Sequence, residues 1–450
     1  MNFCTKAFGA YDIRGIYPET INEKIAYRIG RFFPTLFEAK KVVIGNDIRV
    51  SGLVLKQSLM KGLTESGCDV IDIGQCGTEL IYFATAHLKL DGGIMITASH
   101  NPKEYNGMKF VRQEARPISG DTGLRELEAQ VADGELPAAA KVTGKVEKLD
   151  IVEDYVKHIL SYADVSQLKP LKVVVNAGNG AAGPILDVME KYLPFELVKV
   201  HHEPNGNFPN GVPNPLLPEN REATAKAVRE SDADAGVAWD GDFDRCFMFD
   251  EQGKFIEGYY MVGFLAQAFL QKHPGEKIIY DPRLIWNTIE LVEQNGGVPV
   301  ISKSGHAFIK EKMRKENAIY GGEMSAHHYF RDFSYCDSGM IPWLLVLELL
   351  SKADGKCLSE LMQERMVQYP CSGEINNKVK DADEALARIE AEYGPQGSVT
   401  KIDGLSVEFA NWRFNLRKSN TEPVIRLNVE TRHDEALMLQ KTDELLSKIR

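Results

Sequence analysis

The chain has no CxxC pair: its seven cysteines stand singly at 4, 68, 76, 246, 336, 357 and 371. An odd number without metal-ligand spacing fits reduced thiols in a reducing compartment better than a disulfide framework or a zinc site. Nor is there an excess of positive charge. Lys and Arg number 53 against 64 Asp and Glu, a net charge of −11. That argues against nucleic acid or anionic membrane as a general partner, so an anionic ligand must be met by locally placed cations. Long hydrophobic runs are missing too. The most apolar stretch, Met340 to Leu350, holds Pro342 and Glu348 and is far short of a membrane span. The opening MNFCTKAFGAYDIRG has no apolar core of signal-peptide length. A soluble, cytoplasmic protein is the expectation.

What is present is an α/β pattern used three times. A chain of 450 residues is too long for one hydrophobic core, and its length alone points to about three domains. Each unit opens with a short apolar run that ends in a polar turn: KVVIGNDIRVSG (41–52), LKVVVNAGNGAAG (171–183) and KIIYDPRLIWNT (277–288). These read as buried strands followed by helices. Leu55, Leu59 and Leu63 recur at helical spacing after the first, and Ile185, Met189 and Tyr192 continue the stripe after the second. Each unit then has another strand ending in a polar loop: GGIMITASHNP (92–102), AGVAWDGDFDR (235–245) and AIYGGEMSAHH (318–328). Alternating strands and helices predict three α/β domains with parallel or mixed sheets, their binding loops gathered at the strands' carboxyl ends. The last segment differs. Phe409–Leu416 and Val424–Glu430 alternate with period two, an antiparallel pair joined by RKSNTE (417–422) in a smaller α+β domain. Boundaries near 150, 255 and 370 follow, giving domains 1–150, 151–255, 256–370 and 371–450.

Four loops carry chemistry. In TASHNPKEYNGMKF, Ser99 stands at a strand end among turn-forming residues, where a hydroxyl is exposed and can act as a nucleophile; it can equally just bond its own backbone. There is no GxSxG, which argues against an α/β-hydrolase elbow. Asp240-Gly-Asp242-Phe-Asp244-Arg245 gathers three carboxylates that repel unless a hard cation neutralises them, and Mg²⁺ is the natural occupant. An EF-hand is ruled out, because its obligatory glycine position is Arg245 and the flanks read as strands. GGEMSAHHYF offers Glu323 and Ser325 to sugar hydroxyls, with His327 and His328 pointing apart, while KSGH (303–306) adds Lys303 and His306. Arg417, Ser419, Asn420 and Thr421 at a hairpin tip have the composition of a phosphate cradle, and equally that of a plain polar hairpin tip.

TASHNP, DGDFDR, GEMSAHH and RKSNTEP, in this order and spacing, resemble the four signature loops of the α-D-phosphohexomutase superfamily, and the match spans essentially the whole chain, including AYDIRG (10–15). The spelling is similar to bacterial phosphomannomutases more than to phosphoglucosamine mutases or the larger phosphoglucomutases. The resemblance implies three similar α/β domains and a smaller C-terminal domain around a central cleft. It implies that Ser99 is phosphorylated and that Asp240, Asp242, Asp244 and the phosphoserine hold Mg²⁺. Glu323 and Ser325 would bind sugar hydroxyls, and Arg417, Ser419, Asn420 and Thr421 the phosphate that is not reacting. Arg14, Lys109, Arg245, Arg283, His306 and His327 would line the cleft. Phosphoserine 99 would transfer its group to a hexose monophosphate, with a hexose 1,6-bisphosphate as intermediate and activator. Lys109 or His327, with His100 and His306 behind them, are the candidate bases. The expected reaction interconverts mannose 1-phosphate and mannose 6-phosphate and feeds GDP-mannose synthesis. The alternatives are a glucose-specific or dual-specificity mutase, and a non-catalytic sugar-phosphate sensor. The expected partner is a small hexose phosphate, with no nucleic acid or membrane, and the chain a monomer or weak homo-oligomer.

Overall fold

The computed structural model describes residues 3–418 and 424–449. The chain forms two compact units, Met1–Phe255 with Tyr329–Asp354, and Ile256–His328 with Gly355–Arg450.

In the first unit, the sheet of the N-terminal domain runs Ile13–Ile16, Tyr105–Arg112, Gly92–Ile96, Lys41–Asn46, Asp69–Gln75, Val146–Lys148. Lys41–Asn46 pairs in parallel with both its neighbours, while Gly92–Ile96 and Ile13–Ile16 lie antiparallel to Tyr105–Arg112. Val42, Val43 and Ile44 are all fully buried, as an unbroken apolar run covered on both faces requires. Helix Glu23–Leu36 starts at Asn22, whose side chain accepts from the N–H groups of Lys24 and Ile25. It packs backbone to backbone on helix Gly52–Glu65. A Cβ on Gly30 would lie 2.3 Å from the carbonyl oxygen of Leu59, and one on Gly62 would lie 2.2 Å from that of Tyr27. Leu55, Leu59 and Leu63 fill the core beneath.

The second sheet, Cys246–Phe249, Ala235–Trp239, Lys172–Asn176, Glu196–Val200, is parallel except at its Cys246–Phe249 edge. The buried helix Met340–Ser351 belongs to the same unit. Its Trp343 packs edge-on against Trp239, ring centroids 5.9 Å apart, and the Trp239 indole donates to the carbonyl of Gly339 at 2.9 Å. Among the described residues, no helix is long and apolar enough to cross a membrane.

In the second unit, Lys277–Tyr280 pairs in parallel with Val298–Ile301 and Tyr320–Gly322. The C-terminal sheet, Ile375–Lys378, Val424–Thr431, Trp412–Lys418, Leu405–Glu408, Ser398–Thr400, is antiparallel throughout and is covered by Ala382–Tyr393 and Glu435–Ile449. Phe414 faces Val429 and Leu416 faces Leu427, all four fully buried. The strand expected from Phe409 begins instead at Trp412. The N–H of Phe409 donates to the carbonyl of Trp412 at 2.9 Å and the two rings stack, so residues 409–412 form a tight turn. A buried pair joins this domain to the preceding one. Glu430 accepts from Arg413 at 2.7 Å, from the N–H of Ile285 at 2.7 Å and from the hydroxyl of Tyr259, while Arg413 donates to the carbonyls of Pro282 and Arg283. Three α/β domains with mixed sheets and a C-terminal domain built on an antiparallel sheet are thus present, as the sequence predicts.

The helix contact at Gly62 generates a stability prediction. Gly62→Val must drive two backbones apart and should lower stability by about 3 kcal/mol, read as a lower Tm by circular dichroism. An unchanged Tm would contradict the backbone contact.

Candidate active site

The loop after strand Gly92–Ile96 turns sharply because Ser99 adopts a left-handed conformation, φ 48°. Such a backbone costs a non-glycine residue about 1 kcal/mol or more and persists only where its surroundings impose it. Here they do. The Ser99 N–H donates to the Thr97 hydroxyl at 2.9 Å, and that hydroxyl donates to Asp47 at 2.6 Å. Arg49, 2 % exposed, donates to the carbonyls of Ser99, Asn101, Pro102 and Tyr105 at 2.6–2.9 Å. Arg14 reaches the same loop, donating to the Asn101 side chain at 2.8 Å.

The loop 240–245 is fitted against it. Phe243, also left-handed at φ 44°, is buried so tightly that a Cβ on Gly77 would lie 2.2 Å from its ring. A Cβ on Gly241 would lie 2.8 Å from the carbonyl oxygen of Ser99, so glycine lets the two loops touch. The Ser99 hydroxyl donates to Asp240 Oδ2 at 2.8 Å, with His100 Nδ1 3.1 Å from the same hydroxyl. Arg245 donates to Asp240 Oδ2 at 2.7 Å and also to His100 Nδ1. Lys109 Nζ bridges Asp242 Oδ2 at 2.7 Å and Asp244 Oδ2 at 2.6 Å. The Thr78 hydroxyl also donates to Asp242 Oδ2.

Charge follows from this geometry. Burial pushes the Lys109 ammonium down, but Asp242 and Asp244 outweigh it and hold the amine protonated above its ordinary range. Burial likewise pushes Asp242 up, and Lys109 with the Thr78 hydrogen bond overcomes it, keeping the carboxylate ionised. His100 is driven well below its usual value by burial and then by Arg245 and Arg14, so it is neutral at neutral pH.

Asp240, Asp242 and Asp244 each present a carboxylate oxygen within 4.8 Å of the others, all three buried. Oδ1 of Asp242 and Oδ1 of Asp244 are buried with no hydrogen-bond partner. Buried carboxylate oxygens without donors are costly, and a hard divalent cation satisfies them. The donor set therefore fits Mg²⁺.

A second constellation lies in the other unit. Arg283, 2 % exposed, forks onto Asp281 with two bonds of 2.9 Å and donates to the Ser325 hydroxyl at 3.1 Å. Asp281 also accepts from the N–H of Met324 at 2.9 Å, so one carboxylate orients both the strand end and the loop 323–327. Glu323 is buried, 3.5 Å from Arg283, and accepts from the N–H of Gly305 at 2.8 Å. Of the adjacent histidines, His328 is buried and pairs with the Tyr320 hydroxyl at 2.7 Å, while His327 is half-buried. His306 opens helix His306–Glu316 half-buried, and Lys303 is exposed over the Phe308 ring. Arg417 is buried and donates to Glu374 at 2.9 Å. Ser419, Asn420 and Thr421 lie outside the described residues.

Sequence reasoning passed over Thr78, Thr97, Asp47, Arg49, Asp281 and Glu374. Asp47 and Arg49 end the apolar run VVIG and Asp281 ends KIIY, so the strand-end rule that found the four loops points to these as well.

Serine and carboxylates at the carboxyl ends of strands, with fixed cations around them, define an enzyme built to move phosphoryl groups. Four consecutive family domains match: phosphoglucomutase/phosphomannomutase alpha/beta/alpha domain I over residues 5–137, domain II over 153–253, domain III over 257–369, and the C-terminal domain over 374–447. A phosphomannomutase of Escherichia coli K12 is 57% identical over 447 residues, covering 98% of both chains. A Xanthomonas campestris protein described as phosphohexose mutases is 59% identical over 445 residues, covering 99% of both. The crystal structure of a phosphoglucomutase/phosphomannomutase family protein from Burkholderia thailandensis superposes with a TM-score of 0.88 at 33% identity, covering 99% of this chain and 98% of that one. The chain belongs to the phosphoglucomutase/phosphomannomutase family and is an intramolecular phosphotransferase, an isomerase.

The Lys109 bridge generates a test without an activity readout. Lys109→Met leaves two buried carboxylates without their cation, which should cost about 3 kcal/mol or more and lower Tm. Added Mg²⁺ should recover part of the loss. A wild-type Tm in metal-free buffer would refute the bridge.

Proposed function

We propose that the chain is a phosphomannomutase that interconverts mannose 1-phosphate and mannose 6-phosphate through phosphoserine 99 and mannose 1,6-bisphosphate. The observation that carries the reading is the Ser99 hydroxyl held on a strained turn, 2.8 Å from a buried carboxylate of a three-aspartate cluster.

In the forward half-reaction the bond between phosphorus and Ser99 oxygen breaks and a bond to the sugar hydroxyl oxygen forms. The hydroxyl proton passes to a base, and the serine oxygen regains a proton. Asp240 Oδ2, which accepts the serine hydrogen bond, is placed to hold that proton when the second half-reaction rephosphorylates Ser99. Lys109 serves as fixed positive charge rather than as a base, because its ammonium is pinned between two carboxylates. Neutral His100 takes a hydrogen bond from Arg245 on Nδ1, which would keep the guanidinium near Ser99 to neutralise the transferring group. His327 is then the leading candidate for the sugar's base, with His306 behind it. Asp240, Asp242 and Asp244, with a phosphoserine oxygen, would hold Mg²⁺. When bound, the ion supplies Lewis-acid neutralisation of charge on the phosphoryl oxygens.

Glu323 and Ser325 would read the sugar's O3 and O4, a pair that a turned sugar presents again. Arg417, with Ser419, Asn420 and Thr421, would bind the phosphate that is not reacting, while Arg14, Arg283 and Lys303 would contact the substrate. Hexose 1,6-bisphosphate would also act as activator by phosphorylating Ser99. Mannose and glucose differ at C2, which the O3/O4 contact does not reach. The substrate preference therefore leans on relatives named as phosphomannomutases at 54–58% identity. A relative of 59% identity described as phosphohexose mutases favours dual specificity as the second reading. The seven cysteines are all free, in keeping with a reducing cytoplasm, and the product would feed GDP-mannose synthesis. A monomer or weak homo-oligomer is inferred.

The test is a coupled mutase assay with mannose 1-phosphate and glucose 1-phosphate side by side. Mannose 1-phosphate should turn over, and Ser99→Ala should lower kcat roughly a thousandfold or more. Full activity in Ser99→Ala, or turnover of glucose 1-phosphate alone, would overturn the reading.

A further inference from the structure

Three guanidiniums converge on one carboxylate in the second unit. Glu374 Oε2 accepts from Arg417 at 2.9 Å and from Arg283 at 3.3 Å, and its Oε1 lies 3.4 Å from Arg426. Burial pushes this carboxyl up, but Arg283, Arg417 and Arg426 together outweigh it and hold it down at about 2. It is therefore a permanent anion set against Arg417, the guanidinium expected to bind phosphate, and two neighbouring guanidiniums.

Two roles fit that picture, and they differ in sign. A brace would aim the arginines, so that removing its charge weakens phosphate binding. A stand-in would occupy them, so that removing its charge strengthens binding. The geometry separates the two. Arg283 is already aimed by its two-bond fork to Asp281 and needs no further brace. Arg417 is packed at its stem, where a Cβ on Gly404 would lie 2.5 Å from the Arg417 Cβ. Among the described residues, a second carboxylate near it, Asp403, stands 3.8 Å away, beyond hydrogen-bond reach. Glu374 thus takes up the guanidinium edge of Arg417 that an incoming phosphate needs. Its side chain is also more accessible, 19% against 3% for Arg283 and 8% for Arg417.

We propose that Glu374 is an internal phosphate surrogate: it occupies Arg417 and Arg283 while no phosphate is bound, and yields Arg417 to the substrate's distal phosphate. The inference rests on the phosphomannomutase reading and deepens it. A bisphosphate intermediate has to let go of its distal site before it can present its other end. A phosphate dianion out-competes a single carboxylate for the guanidinium when it is present. The carboxylate in turn makes release less costly, because the freed guanidinium is not left without a counter-charge. Glu374 is a positioning residue in this account, acting through Arg417.

The experiment measures binding of inorganic phosphate and of mannose 6-phosphate by calorimetry, together with kcat and KM, for wild type, Glu374→Gln and Glu374→Asp. Glu374→Gln should bind both ligands about fivefold more tightly or better at low salt, with the gain shrinking as salt rises. Its kcat should fall along with KM, because release of the intermediate slows. Glu374→Asp, one methylene shorter, should move in the same direction by less, and it decides the matter should the glutamine variant not fold. Unchanged or weaker binding in the folded variants would overturn the surrogate while leaving the mutase reading intact. Failure of the wild type to bind either ligand would overturn both.

Discussion

Three carboxylates buried within five residues of chain are the constraint on which the active loops depend. Asp240, Asp242 and Asp244 are at most 2 % exposed, and buried like charges at this spacing are unfavourable unless cations face them. The fold brings those cations from separate elements. Lys109 comes from strand Tyr105–Arg112 of the N-terminal sheet, and Arg245 from the end of the acidic loop itself. Because Ser99 donates to Asp240, the same balance of charge fixes the serine hydroxyl proposed as the nucleophile. Position and electrostatics are set by one network. Phosphoryl transfer needs little else from a protein, since its transition state is stabilised mainly by preorganised charge.

The two constellations solve the same problem in different ways. Around Ser99 the excess charge is negative and invites a metal, with two carboxylate oxygens left without donors. Around Glu374 three guanidiniums converge on one carboxylate, with Asp281, Glu323 and Asp403 as further counter-charges, and on the proposed reading a phosphate displaces the carboxylate from Arg417. Each is backed by a carbonyl or carboxylate scaffold that takes no part in chemistry. Arg49 gathers four carbonyls beneath the serine turn, and Asp281 holds both Arg283 and the loop at Met324.

Much of this was legible in the sequence, and the reasons are local. The strands at 41–46, 172–176 and 277–280 are short apolar runs ended by polar turns, a signal that survives without tertiary knowledge. The aspartate triplet and the serine turn are each a contiguous stretch, so their residues can be picked out directly. Pairings made over long separations could not be read. Arg49 meets the serine loop some fifty residues on, Thr78 meets Asp242 at a separation of 164, and Glu374 meets Arg283 at a separation of 91. No pattern of period or spacing encodes such contacts. The turn at 409–412 was missed for a different reason. Trp412, Phe414 and Leu416 keep strand alternation, whereas Phe409, three residues before Trp412, is out of phase with it, and the stacked rings of Phe409 and Trp412 close a turn.

The central claim is that Ser99 carries the phosphoryl group between the two positions of the sugar. The most direct measurement is a rapid-quench single turnover of dephosphorylated enzyme with labelled mannose 1,6-bisphosphate, followed by peptide mapping. The account predicts label on the peptide containing Ser99 within one turnover, and its quantitative return to sugar when unlabelled mannose 6-phosphate is added. Label that stays on the sugar throughout, or that appears on another residue at the rate of turnover, would contradict it.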